Sequence, residues 1–238
     1  MLNKIWKYKW ILRSIISTIY FNFHYLPLKQ AIKLPIVLYK AHLLKCKGQI
    51  KIEGKIKPAM IKLGQPVVSI YPNSGIIYEN HGGKIIFKGP CSIGNNSAIS
   101  IGTNGKLIIG ENFVATSSLK IVTYHYIEFK ENVLCGWECL FMDTDLHQLS
   151  LINQTEKQPI PYAPIIIGKN NWFALKCTIM KGCILSDNNV IASNSLLNKD
   201  YSDKSYCLLT GIPAQIKKTG IFRNPQNDLI FYNNDIQK

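Results

Sequence analysis

The side chains best able to act on another molecule are five histidines and seven cysteines. Imidazole gains and loses a proton near neutral pH, so a proton-transferring base is sought first among the histidines. His24 and His42 lie in the N-terminal quarter. His81 sits in "NHGGK" and His125 in "TYHYI". His147 differs, because "FMDTDLHQL" sets Asp143 and Asp145 just before it. It is the leading candidate, and His125 is second. The cysteines (Cys46, Cys91, Cys135, Cys139, Cys177, Cys183, Cys207) are odd in number, and none forms a CxxC pair. Cys135 and Cys139 lack a matching His or Cys pair, so neither zinc nor any other metal site is expected. Reduced, mostly buried thiols in a reducing compartment are expected instead. No Ser-His-Asp or Cys-His constellation assembles. "GTNGK" (102–106) is too short for a P-loop and lacks the hydroxyl residue after its lysine.

A six-residue period from about residue 50 onward must position these groups. Ile167, Phe173, Ile179, Leu185, Ile191 and Leu197 stand six apart, as do Phe129, Cys135 and Phe141. Ile109, Ala115 and Ile121 form another run, and Ile93 and Ile99 a shorter one. The following position is often small, as at Gly94, Gly110, Gly136 and Gly168. Six is neither the strand nor the helix period. It fits a chain that runs straight, turns a corner and repeats, with the large residue inward. Three sides make a triangular coil of about 18 residues, and coils stack about 4.8 Å apart as neighbouring strands. Cys177 and Cys183 then occupy equivalent corners. Between Phe141 and Ile167 the run breaks, and about 20 residues leave the coil as a loop that contains His147. Pro159, Pro161 and Pro164 stiffen its return. A long loop ejected from a regular solenoid is a place to look for function.

Residues 85–218 resemble the hexapeptide-repeat acyltransferases, in particular the branch of maltose, galactoside and surface-polysaccharide O-acetyltransferases. The resemblance rests on "IIIGKNNWFALKCTIMKGCIL" (165–185), "TGIPAQIKK" (210–218) and the start of the "FMDTDLHQL" loop. It implies a mainly β fold: a left-handed parallel β-helix with a helical N-terminal extension and a short C-terminal helix. It implies acetyl-CoA as donor, a homotrimer, and His147 as the catalytic base. Asp143 or Asp145 would orient the ring or contact the sugar, and Ser117 or Ser118 would position substrate. For CoA it points to Trp172, Ala174, Ser193, Asn198, Lys199, Ala214, Gln215 and Lys217, with Lys217 and Lys218 near phosphate. The sequence departs from the family pattern at Ala174, Leu175 and Ser186, beside the expected CoA groove. The function implied is O-acetylation of a sugar hydroxyl in bacterial surface polysaccharide. An amino-sugar N-acetyltransferase and a non-catalytic β-helix are the alternatives.

The chain has 238 residues and a formal net charge of +14. Residues 1–52 hold ten basic residues and no acidic one, so the excess belongs mostly to the N-terminal segment. Three regions are expected: a basic helical extension (1–48), a β-helix (49–210) with a loop at about 142–164, and a closing element and tail (211–238). Residues 4–20 read as an amphipathic helix with Trp6, Trp10 and Tyr20 among lysines, and a second helix is expected from about Leu28 to Leu44. No signal peptide fits, and Ser14 to Leu28 is too short and polar to span a bilayer. A cytoplasmic protein is expected, contacting the anionic inner face of the membrane through this segment, with a sugar or lipid-linked glycan as acceptor. No nucleic-acid motif accompanies the charge, so that partner is not expected.

Overall fold

The computed structural model describes residues 2–152 and 158–228, with side chains from Ser14 onward. Helix α1 spans Leu2–Tyr25 and α2 only Leu28–Ala31. Strands then wind into seven three-sided coils, giving three parallel sheets. Sheet 1 starts at Ile36–Leu38, sheet 2 at His42–Cys46 and sheet 3 at Gln49–Ile52. Each strand pairs in parallel with its counterpart one coil later. This is a β-helix.

The residues of the six-residue period form its core. Phe129, Phe141, Ile167, Phe173, Ile179, Ile191 and Leu197 have no solvent exposure, and each points inward from one of the three sheets. Fully burying such a side chain contributes about 1.5–3 kcal/mol. The rings of Phe113, Phe129, Phe141 and Phe173 follow one another up the axis at 4.8, 4.8 and 5.2 Å. Small residues beside them admit the next coil. A Cβ on Gly94 would lie 1.9 Å from the Thr116 carbonyl oxygen. The corners demand positive φ, and asparagine supplies it at residues 96, 112, 132, 170, 188 and 194. Asn112, Asn132, Asn170 and Asn188 also bond side chain to side chain up one corner, at 3.1, 3.0 and 3.0 Å.

The N-terminal end corrects the sequence reading. The helix expected to Leu44 stops at Ala31, and the first coil begins at Ile36 rather than about 49. Early coils advance irregularly: Ile36 pairs with Ile61, and Ile61 with Cys91. No six-residue period survives such spacing. Helix α1 is no detached extension either. Asn22 bonds both the N–H (3.1 Å) and the carbonyl (2.6 Å) of Ile36, Thr18 accepts from the Leu38 N–H (2.9 Å), and Ser14 from the Lys40 N–H (3.0 Å). Four helical residues rise about 6 Å and two strand residues about 6.6 Å, so the two rows stay in step. The open edge of sheet 1 is thereby satisfied by side chains. Trp6 and Trp10 lie outside the described side chains.

At the other end, Cys207–Gly211 turns back into Ala214–Thr219, the one antiparallel pairing among the described strands. Lys217 and Lys218 therefore sit on a strand, not at a helix end. Among the described residues that follow, the helical element is a single 3-10 turn, Pro225–Asn227. All seven cysteines are free thiols, and all but Cys46 are buried.

Candidate functional site

Sheet 2 is flanked by two excursions. Residues 66–75 leave at the corner between sheets 1 and 2. Residues 143–164 leave at the corner between sheets 2 and 3, between Leu140–Met142 and Ile165–Ile167. The second is the loop read from the broken period. Leu134 pairs with Trp172, 38 positions on, whereas Trp172 pairs with Val190 after 18.

The stem of that loop is clamped by the coils on both sides. Asp143 is fully buried, and its two carboxylate oxygens accept the backbone N–H groups of Tyr124 and His125, each at 2.8 Å. Those residues form the turn of the preceding coil. Burial pushes the Asp143 carboxyl upward, and the two N–H donors oppose that shift. Asp145 pairs with Lys181 of the following coil at 2.5 Å, and Lys181 also donates to the Ile160 carbonyl at 3.0 Å. Thr144 bridges Tyr162, the Asp145 N–H bonds Pro161, and the Ala163 N–H bonds Asp143. The His125 ring packs on Tyr162 at 4.7 Å. Beyond this stem His147 is exposed, with no hydrogen bond to any described residue.

This geometry revises the expected roles of the two carboxylates. Asp143 is fully buried, and both its oxygens are turned to the backbone N–H groups of the preceding coil rather than toward the exposed His147 ring. Asp145 is tied to Lys181. Both hold the loop and leave the imidazole unpartnered. Lys181, Tyr162 and the turn at Tyr124 were not singled out from sequence. Nothing local in "MKGC" marks Lys181, which acts only because the coil stacks it beside the loop.

At the opposite edge of sheet 2, Tyr71 from the first excursion donates to Glu138 at 2.6 Å and meets the Trp137 ring edge-to-face at 5.6 Å. Glu138 also meets Lys176 at 3.5 Å. The Tyr71 hydrogen bond, with Lys176 and Lys120, holds the Glu138 carboxyl below its usual range; desolvation and that carboxylate push Tyr71 up to about 12. Tyr71, Glu138, Lys120 and Lys176, with Asn96 and Ser118, line an open cavity of about 470 Å³. Ser118 accepts from the Asn96 side chain at 2.8 Å, while Ser117 is buried and donates to the Asn95 carbonyl at 2.9 Å. Of the two serines, only Ser118 faces a cavity. Three strand residues, about 10 Å, separate this edge from the loop.

The residues expected at CoA fall into separate groups on one chain. Ala174 and Ser193 lie at the corner between sheets 1 and 2, and Asn198 and Lys199 at the corner between sheets 2 and 3. Trp172 is half-buried on the outer side of sheet 1, and Gln215 and Lys217 are exposed on the last strand. Ala214 is buried, its carbonyl taken by the Tyr201 hydroxyl at 3.0 Å. Ala174 is tolerated where glycine was expected; its N–H bonds Ile191 and its carbonyl accepts from the Cys139 thiol. Ser186 gains bonds from its hydroxyl to the carbonyls of Tyr201 and Lys204.

The architecture is a left-handed parallel β-helix of hexapeptide repeats that ejects a histidine-bearing loop. The proteins it resembles include acetyltransferases and an N-acyltransferase. The solved structure of the polySia-specific acetyltransferase NeuO superposes with a TM-score of 0.54 and 19% identity, over 83% of this chain and 99% of that one. A hexapeptide-repeat acetyltransferase of Vibrio cholerae O1, solved with acetyl coenzyme A, superposes at 0.39 and 14% identity, over 89% of this chain and 86% of that one. A probable acetyltransferase of Mycobacterium tuberculosis, Rv3034c, is 26% identical over 114 residues. That match takes in 48% of this chain but only 37% of the relative's length. No family model matches.

Proposed function

We propose that this protein transfers the acetyl group of acetyl-CoA to a sugar hydroxyl, with His147 as general base. The observation that carries the reading is the loop stem. Asp143 and Lys181 fix residues 143–146 to two different coils, and His147, whose imidazole makes no hydrogen bond to any described residue, is displayed just beyond them. A rigid scaffold presenting an unused base is what proton abstraction at a substrate requires. In the reaction the acceptor oxygen attacks the thioester carbonyl as its proton passes to His147. The new C–O ester bond forms, the C–S bond breaks, and the CoA thiolate leaves and takes up a proton. A backbone N–H stabilises the tetrahedral oxyanion. Acetyl-CoA binds through the exposed corner groups at Ser193 and Asn198–Lys199, and Lys217 and Lys218 meet phosphate as point charges. Those groups lie at different edges of one chain, which favours a donor groove between neighbouring copies of a homotrimer. Such a neighbour also supplies the group that orients His147, since neither nearby aspartate is available.

The acceptor we favour is a bacterial surface polysaccharide or its lipid-linked precursor, acetylated in the cytoplasm, where free thiols persist; the likeness to a polySia-specific acetyltransferase supports this reading. The open cavity with Ser118, Lys120 and Lys176 is suited to its polar groups. Incubating the protein with radiolabelled acetyl-CoA and a panel of acidic and neutral glycans tests this. Label in a base-labile ester is expected. Label in an amide of an amino sugar would reject O-transfer, and no transfer with any acceptor would reject the enzyme reading.

A further inference from the structure

Helix α1 is amphipathic in the inverse sense. Its polar side chains Ser14, Thr18 and Asn22 face the protein, where they bond the edge of sheet 1. Phe21 is buried in the core, but five other apolar side chains face water: Ile15, Ile16, Ile19, Tyr20 and Phe23 are 45–59% exposed. At 100° per residue these five cover an arc of about 140°. Leu28 and Ile32, 68% and 63% exposed, extend the apolar surface past the end of the helix. A surface helix normally turns this stripe to the core. Here the core-facing side carries Phe21 and the three hydrogen-bonding side chains, and the apolar stripe is left for something outside the chain.

We propose that this face docks the protein on an anionic lipid bilayer. Charge selects the occupant. The first 52 residues contain ten basic residues and no acidic one. Lys29 and Lys33 are exposed beside Leu28 and Ile32 and form no ion pair among the described residues. A second copy seated here would bring a like-charged segment against this one. Anionic headgroups complement the lysines while the acyl boundary takes the isoleucines and Phe23. No described helix is long and apolar enough to cross a membrane, so the contact is with the surface. The proposal is independent of the acyl-transfer reading.

Flotation of the full chain with vesicles tests it. Binding is expected to phosphatidylcholine vesicles containing phosphatidylglycerol and not to phosphatidylcholine alone. Replacing Ile16, Ile19 and Phe23 together by Ser is expected to weaken binding by about 100-fold or more, while transfer to a short soluble acceptor is unchanged. The Lys29→Glu, Lys33→Glu double variant, which leaves the helix face intact, is expected to weaken it by about tenfold or more. It decides the matter if the triple variant does not fold. Absence of wild-type binding to anionic vesicles, or equal binding by folded variants, would overturn the proposal. So would light scattering in which the triple variant has half the mass of the wild type, which would assign the face to a second copy.

Discussion

At the corner between sheets 2 and 3 the fourth coil turns in two residues, Tyr124 and His125, whereas the fifth runs out through 143–164 before returning. In the tight turn, backbone and ring are both engaged. The two N–H groups go to Asp143 and the His125 ring lies on Tyr162. In the excursion Asp145 is tied to Lys181, and the Gln148 side chain donates to the Pro159 carbonyl. His147, between them, makes no bond to any described residue. The regular turn thus serves as the foundation of the irregular one. Asp143 is held by the coil beneath and Asp145 by the coil above, while the His147 imidazole beyond them is left free to act.

Changes at this corner should therefore separate foundation from active group. The largest effect is expected at Asp143. Asp143→Ala leaves two backbone donors without acceptors and should cost about 2–4 kcal/mol. Amide exchange at Tyr124 and His125 should quicken and transfer should collapse, whereas unchanged exchange would show that the stem does not depend on this carboxylate. Lys181→Met comes next. A half-exposed ion pair contributes only about 1 kcal/mol, but loosening the stem should lower kcat about tenfold with the fold intact. Equal kcat in the variant would break the link between stem and chemistry.

The regular coils should behave differently. Asn132→Ala interrupts the asparagine ladder and places alanine at φ 58°, so about 1 kcal/mol should be lost in a thermal melt with kcat unchanged. Asn132→Gly should recover part of the loss. The smallest effect is expected at Thr123, whose hydroxyl has no partner although the residue is fully buried. Thr123→Val should raise stability by up to about 1 kcal/mol. A loss there would mean that a water satisfies the hydroxyl.

The same contrast explains what the sequence disclosed. Inward positions such as Phe141, Ile167 and Phe173 obey a local rule, large and apolar every sixth residue, so the core from Ile93 onward was legible and the broken period located the loop. At Asn112, Asn132 and Asn170 asparagine answers the corner's need for positive φ, a demand the sequence alone did not reveal. The first coils were hidden, because the step from Ile61 to Cys91 fits no short repeat. Roles that depend on what lies one coil above or below were also hidden. "DTD" before a histidine suggests ring-orienting carboxylates, and only stacking shows that Asp143 belongs to the coil beneath and Asp145 to Lys181 above. Tyr71 and Glu138, 67 residues apart, carry no sequence signal. Helix α1 was visible as amphipathic, but which side faces the protein was not.

The central claim is that His147 acts while its neighbours hold it. Acetyl transfer should therefore be compared for the wild type, His147→Ala and His125→Ala under identical conditions. His147→Ala is expected to lose about 100- to 10,000-fold in kcat with an unchanged melting temperature, and His125→Ala to lose several-fold at most. Full activity in His147→Ala, or a catalytic loss that follows His125 instead, would contradict the account.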